Sequence, residues 1–333
     1  MTCTDRNPKL DWQCELLEYS WSRVNQPGEL IRLVACEPDE SLPSHRHTQV
    51  IRTRPSNIHP SSSDNYPPYN RLFSFQQWLS DYDPQGTVLI LDPDMVFSKP
   101  LDIEPPRGTP VGQDWLDFGV NSQLIESIQE LSDVNIDELQ AVTWPAFINS
   151  EDLRRLMPRW IELTAGIRDL LGYWESDMFA FVVAAAELDL RFLLEKNTAW
   201  APWPSQKVGE TSMIHYCQKI YDENNEEIWW KQSYKPWTRV NGQNRSKESY
   251  CDQLLELVDE YAEIKQCDKS VQSEDTIFVA IASYCEPELA STIESCLCKA
   301  RRPENLRFGI CLQYDDSDKV TDSRCLDQYS QDK

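Results

Sequence analysis

The stretch Gly86-Thr87-Val88-Leu89-Ile90-Leu91 runs directly into Asp92-Pro93-Asp94. Its four consecutive apolar residues show no polar alternation. A short apolar run bounded by turn residues fits a strand buried on both faces, and such strands belong to parallel sheets covered by helices. An α/β fold is therefore expected. The two carboxylates would stand at the carboxyl end of this strand, where open α/β sheets bind ligands.

The flanking sequence supplies matching elements. Residues 11–25 carry the apolar period of an amphipathic helix and stop at the turn signal Asn25-Gln26-Pro27-Gly28, after which residues 30–36 read as a strand. Pro, Ser and Asn crowd residues 53–70, which read as a loop, and residues 72–79 read as a helix. A helix is expected over 150–171, with Ser150 as its N-cap and a kink or break at Pro158. Residues 175–188 form a helix so apolar that it must be buried. Residues 241–274 read as a polar linker with one amphipathic helix near Leu254. A strand, a helix and a second strand then follow over 276–313, a βαβ unit too short for a domain. The expected organisation is one domain over 1–240, the linker over 241–274, and part of a second domain over 275–333, cut inside it.

Charge and cysteine usage remove several function classes. A formal net charge of −23 opposes phosphate backbones and anionic lipid, so no nucleic-acid partner is expected. It says little about a small anionic ligand, because a metal ion or a local cation reverses the sign within one pocket. No apolar run approaches the ~20 residues that span a bilayer. Met1-Thr2-Cys3-Thr4-Asp5 lacks the features of a leader, so a cytoplasmic setting is expected. The eleven cysteines include no Cys-x-x-Cys pair, which leaves zinc ribbons and thioredoxin-like motifs unsupported. Most read as reduced, buried thiols.

Asp92-x-Asp94 carries the chemistry. Two carboxylates on one turn can hold a Mg²⁺ or Mn²⁺ ion, which stabilises a leaving nucleoside diphosphate; the plain alternative is an ordinary Asp-Pro-Asp surface turn. His215, after the apolar Met213-Ile214, is either a third ligand or a satisfied core histidine. Asp177 opens the apolar helix, either complementing its dipole or aimed into a sugar pocket. Lys207 is a candidate for a diphosphate or a solvated lysine. Five tryptophans between 199 and 237 suit sugar stacking or core packing, and His45-Arg46-His47 reads as solvated loop.

Taken in order, the segments resemble the hydroxyproline O-arabinosyltransferases and peptidyl-serine O-galactosyltransferases. The likeness spans the first ~240 residues, and order across many segments is more specific than one motif. It rests on Thr4-Asp5, Trp12-Gln13-Cys14, Pro27-Gly28, Asn70-Arg71 and Phe75-Gln76-Gln77-Trp78-Leu79, then on Leu89-Ile90-Leu91-Asp92-Pro93-Asp94. It continues through Pro158-Arg159-Trp160, Asp177-Met178-Phe179-Ala180-Phe181 and Ile214-His215-Tyr216. The resemblance implies a GT-A type, Rossmann-like mixed sheet flanked by helices, and a retaining, metal-dependent transferase. Such an enzyme moves a sugar from a UDP-sugar to a hydroxyl of a protein, peptide or glycan. It implies that Asp92, Asp94 and His215 hold Mn²⁺ or Mg²⁺, and that Thr4, Asp5, Asn70 and Arg71 belong to the nucleotide pocket. Asp177 stands where the family carries Glu. Residues from 276 onward, with Ile277-Phe278-Val279-Ala280-Ile281-Ala282-Ser283-Tyr284 and Ala300-Arg301-Arg302-Pro303-Glu304-Asn305, resemble the opening βαβ of cytoplasmic hydroxyproline N-acetylglucosaminyltransferases. The competing reading is a carbohydrate-binding or scaffold module that keeps the fold without turnover.

Overall fold

The computed structural model describes residues 2–5, 7–59, 64–114, 122–195, 198–200, 211–221, 224, 226–240, 249–270, 277–284, 289–300 and 303–313. The chain divides into two compact units, Met1–Glu263 and Ile264–Lys333.

The first unit opens with β1 (Thr2–Asp5), α1 (Pro8–Arg23), β2 (Leu30–Ala35) and β3 (Thr48–Thr53). These strands form a parallel sheet in the order β1-β2-β3, with Thr4 opposite Val34 and Leu33 opposite Ile51. Leu33 and Val34 are both fully buried, so it is β2 that meets protein on both faces. Next come α2 (Tyr69–Tyr82), β4 (Thr87–Ile90), β5 (Met95–Phe97), β6 (Val111–Asp114), α3 (Ser122–Leu131) and β7 (Val142–Asn149). Then follow α4 (Ser150–Leu171), α5 (Ser176–Glu187), β8 (Leu193–Glu195), β9 (Thr198–Trp200) and β10 (Met213–His215). The unit closes with β11 (Ile220–Tyr221), β12 (Glu227–Trp229) and the first part of α6 (Tyr250–Ser270).

The α/β class is as expected, but β4 differs from the reading of its sequence. It pairs antiparallel with β7 at the end of a four-stranded mixed sheet ordered β4-β7-β6-β8. Its burial alternates, with Val88 and Ile90 inside, Leu89 half-buried and Thr87 exposed. The longer apolar run of β7 takes the central position instead, since all but its last residue is buried. Four apolar residues fit either position, and only pairing decides between them. A further sheet, β5-β10-β9, joins β10 antiparallel to β5.

Helices α2, α4 and α5 cover this framework through Leu72, Phe75, Trp78, Leu153, Trp160 and Phe181. Helix α4 starts one residue earlier in its capping than expected: the Asn149 side chain accepts from the Glu151 N–H at 3.0 Å, and Ser150 is already helical. The helix passes through Pro158 as one element and stops at Gly172, whose φ of 64° suits a residue without Cβ. A second core gathers Trp12, Ile214, Tyr216, Trp229 and the Leu254 and Val258 face of α6. The helix anticipated inside a polar linker thus commits its apolar face to the first unit.

The second unit holds β13 (Ile277–Tyr284), α7 (Leu289–Lys299) and β14 (Leu306–Gln313). Its strands pair in parallel from Ile277 opposite Leu306 to Tyr284 opposite Gln313, the anticipated βαβ arrangement.

Candidate functional site

Strand β4 ends at Ile90, Leu91 is buried, and Asp92-Pro93-Asp94 turns the chain into β5. Antiparallel pairing sets His215 of β10 opposite Met95, the residue after Asp94. The Tyr216 N–H then donates to the Asp94 carbonyl at 3.0 Å. This register carries His215 Nε2 to 3.3 Å from Asp94 Oδ1 and 3.9 Å from Asp92 Oδ2. The three side chains offer ligand atoms that all lie within 4.8 Å of one another. Neighbouring and opposite ligands of an octahedral ion at ~2.1 Å lie roughly 3.0 and 4.2 Å apart, so the two His215 distances fall within one coordination shell. Two carboxylates and an imidazole suit a divalent ion such as Mn²⁺.

Each carboxylate also has a cation. Arg71 Nη2 pairs with Asp92 Oδ1, and Lys231 Nζ pairs with Asp94 Oδ2. Burial pushes the Asp94 carboxyl up, but His215 and Lys231 outweigh it and hold Asp94 well below the usual carboxylate range. Burial likewise pulls the Lys231 ammonium down, and Asp94 more than reverses this. The Cys217 thiol beside them is pushed up to about 12, chiefly by burial, so it stays protonated at neutral pH.

Asp177 enters from the first turn of α5 and is 4% exposed. Its Oδ1 accepts from the Tyr66 hydroxyl at 2.8 Å, and its Oδ2 lies 3.5 Å from Arg71 Nη1. Arg71 therefore bridges Asp92 and Asp177, with its guanidinium carbon 5.4 Å from the centre of the Trp144 ring. Burial raises the Asp177 pKa, and Arg71 and Tyr66 only partly oppose it. The segment around Tyr66, which reads as featureless loop, is fastened: Asp64 accepts from Arg168 Nε and Nη2 at 2.8 and 2.9 Å.

The remaining candidates separate. The Asn70 side-chain oxygen accepts from the Ser56 N–H at 2.5 Å and so ties down the preceding loop. Thr4 and Asp5 lie in β1, and their side chains, like Lys207 as a whole, lie outside the described residues. The solvated reading of His45 is corrected, because its side chain is 1% exposed. Its Nε2 accepts from Arg32 Nη1 at 2.9 Å and its Nδ1–H donates to Glu18 at 3.0 Å. Arg32, wholly buried on β2, needs acceptors there, and a histidine from the next connection supplies one. Trp229 packs into a cluster with Trp12, Tyr216 and Tyr234, a core role for that part of the Trp-rich stretch. Sequence reading passed over Lys231 and Tyr66. The only local signal for Lys231 is its place directly after Trp229-Trp230, and Tyr66 is an aromatic residue inside a polar loop.

Residues 1–194 match the hydroxyproline O-arabinosyltransferase family N-terminal domain, and residues 276–332 match a glycosyltransferase (GlcNAc) family. The chain belongs to the hydroxyproline O-arabinosyltransferase family. It is similar to a peptidyl serine alpha-galactosyltransferase of Arabidopsis thaliana, 28% identical over 234 residues, covering 64% of this chain and 29% of that protein. It is also similar to the hydroxyproline O-arabinosyltransferase PLENTY of Lotus japonicus, 23% identical over 220 residues, covering 62% of this chain and 60% of that protein. The chain thus spans less than a third of the first relative's length and 60% of the second's. A solved structure of the galactosyltransferase LgtC with donor and acceptor sugar analogues aligns at a TM-score of 0.47 and 14% identity, over 78% of this chain and 94% of that one.

Proposed function

We propose that this chain transfers a sugar from a UDP-sugar to a hydroxyl of a protein, peptide or glycan, with retention of configuration, on a GT-A type fold. The observation that carries the reading is the meeting of Asp92, Asp94 and His215 at one point, in a chain of this family. Asp92, Asp94 and His215 would hold Mn²⁺ or Mg²⁺, which would supply charge stabilisation to the leaving diphosphate. Arg71 pairs with both Asp92 and Asp177 and so fixes them relative to each other. Asp177, with each oxygen held by a named partner, orients the donor sugar or acts at its anomeric carbon. The names of the relatives favour a peptide hydroxyl as acceptor. The segment from 276 is proposed to open a second transferase domain, and the setting to be cytoplasmic, which cell fractionation would check.

The test is a thermal-shift panel of UDP and its galactose, arabinose, glucose and N-acetylglucosamine esters, each with Mn²⁺ or EDTA. Ligand at ~100 Kd should stabilise by about 2.7 kcal/mol, with Mn²⁺ present and not with EDTA, and Asp94→Ala should abolish the shift. No shift with any nucleotide in Mn²⁺ would end the reading. One observation favours the second reading, a sugar-binding module without turnover: both metal-site carboxylates already carry a protein cation. That module would bind sugar equally well in EDTA.

A further inference from the structure

Lys231 is the side chain that the metal-site reading leaves unexplained. Its ammonium pairs with Asp94 Oδ2, while Asp94 Oδ1 faces His215 Nε2 at 3.3 Å. The pair is well enclosed, with the lysine side chain 16% exposed and the aspartate 9%. The root of this lysine is held firmly. Trp229, two residues before it, packs at 6.3 Å on Trp12 and 5.7 Å on Tyr216, the residue that follows His215. The Ser233 and Tyr234 N–H groups close onto the Trp230 carbonyl at 3.1 and 2.9 Å, and the Tyr234 ring lies 5.0 Å from Trp12. The backbone is thus locked to the same aromatic cluster that positions His215, and only the flexible four-carbon stem is free to pivot.

The charge balance then sets what binds. Arg71 is shared between Asp92 and Asp177, and Lys231 pairs with Asp94. A divalent ion arriving alone meets carboxylates that already hold protein cations, and it must share Asp94 with an ammonium that repels it at close range. A diphosphate arriving with the ion supplies negative charge and acceptor oxygens, and gives the ammonium somewhere else to bond. We propose that Lys231 makes divalent-metal binding at Asp94 conditional on a diphosphate. It occupies Asp94 in the metal-free protein and passes its ammonium to the phosphate oxygens when metal and nucleotide bind together. The proposal rests on the metal and UDP readings above, and it adds a coupling between them. Lys231 is a positioning residue in this sense: it decides when the metal stays.

The experiment is Mn²⁺ titration of the full chain, with free Mn²⁺ followed by electron paramagnetic resonance, with and without UDP. The wild type, Lys231→Met and Lys231→Arg are compared, with the melting temperature of each as the folding control. In the wild type UDP should tighten Mn²⁺ binding by at least ~10-fold, inside the ~5–150-fold range of typical coupling. Lys231→Met should bind Mn²⁺ alone ~10-fold more tightly than the wild type, and UDP should then add less than ~3-fold. Lys231→Arg, which keeps the charge, should keep most of the coupling. If Lys231→Met does not fold, Lys231→Gln carries the same expectation, because it retains a donor to Asp94 without the charge. Unchanged coupling in the neutral variant, or weaker binding of Mn²⁺ alone, would overturn the proposal and leave the metal site standing. Absence of Mn²⁺ binding in the wild type even with UDP would overturn the metal reading and this inference together.

Discussion

Trp160→Phe and Trp144→Phe form a matched pair that tests how the site is anchored. Both indoles are buried, both lie 4.9 Å from the Phe181 ring, and their own rings are 5.7 Å apart. They differ in one hydrogen bond, and Trp144 also carries the Arg71 guanidinium over its ring, a contact that a Phe ring keeps in part. Trp160 Nε1 donates to the Asp177 carbonyl at 2.6 Å, tying α4 to the first turn of α5, whereas Trp144 Nε1 is buried without a hydrogen-bond partner among the described residues. Exchange for Phe removes a similar part of the indole in each case, worth about 2 kcal/mol at ~0.8 kcal/mol per lost carbon group. Trp160→Phe also removes this buried hydrogen bond, at a further net cost of ~0.5–1.5 kcal/mol, while the carbonyl keeps its place in the first turn of α5. Trp144→Phe removes an unsatisfied donor and so returns part of its cost. Trp160→Phe should therefore be the more destabilising by roughly 1–2 kcal/mol. Urea unfolding followed by far-ultraviolet circular dichroism measures this without relying on the mutated fluorophore, and an unchanged m-value licenses the comparison. Equal losses within ~0.5 kcal/mol, the scatter of independent sites, would refute the assignment of this bond as the anchor of Asp177.

Three further outcomes follow from the same geometry. The lowered pKa of Asp94 contributes stability above the unfolded-state value of 3.8 and loses it as pH falls, so metal-free Asp94→Asn should be less stable than the wild type at pH 7 and converge with it in acid; a constant gap would contradict this. Asp177 has the opposite sign: its raised pKa makes ionisation costly as pH climbs above 3.8, so Asp177→Asn should gain on the wild type from acid to neutral pH while donor turnover falls, and a loss of relative stability at pH 7 would show that Arg71 over-compensates. His45→Ala, which removes partners from Arg32 and Glu18, should cost ~1–3 kcal/mol in urea unfolding, whereas a solvated histidine would cost less than ~0.5 kcal/mol.

What was legible in the sequence is local. The Asp92-Pro93-Asp94 turn after an apolar run, the burial of α5 and the terminal βαβ unit each rest on patterns within about a dozen residues, where composition and period carry the information. The Asn149 cap was missed by one residue, because Asn and Ser both cap helices and only the backbone angle separates them.

Long-range pairing decided the rest. His215 follows an apolar run like many core histidines, and the choice between ligand and core residue turns on β10 pairing with β5 in the register that sets it opposite Met95. Lys231 reaches Asp94 across 137 positions, from a turn fixed by the packing of Trp229 and Tyr234 on Trp12. No local period encodes such a meeting, since the charge of one lysine reads the same in solvent or on a carboxylate. Likewise, the burial of His45 depends on Arg32 lying wholly inside on β2 and needing an acceptor. Local composition and period mark the Asp-Pro-Asp turn and the most apolar segments. Which charges meet follows from tertiary contacts, because the register of a sheet and the packing of an aromatic cluster are set by residues far apart in the chain.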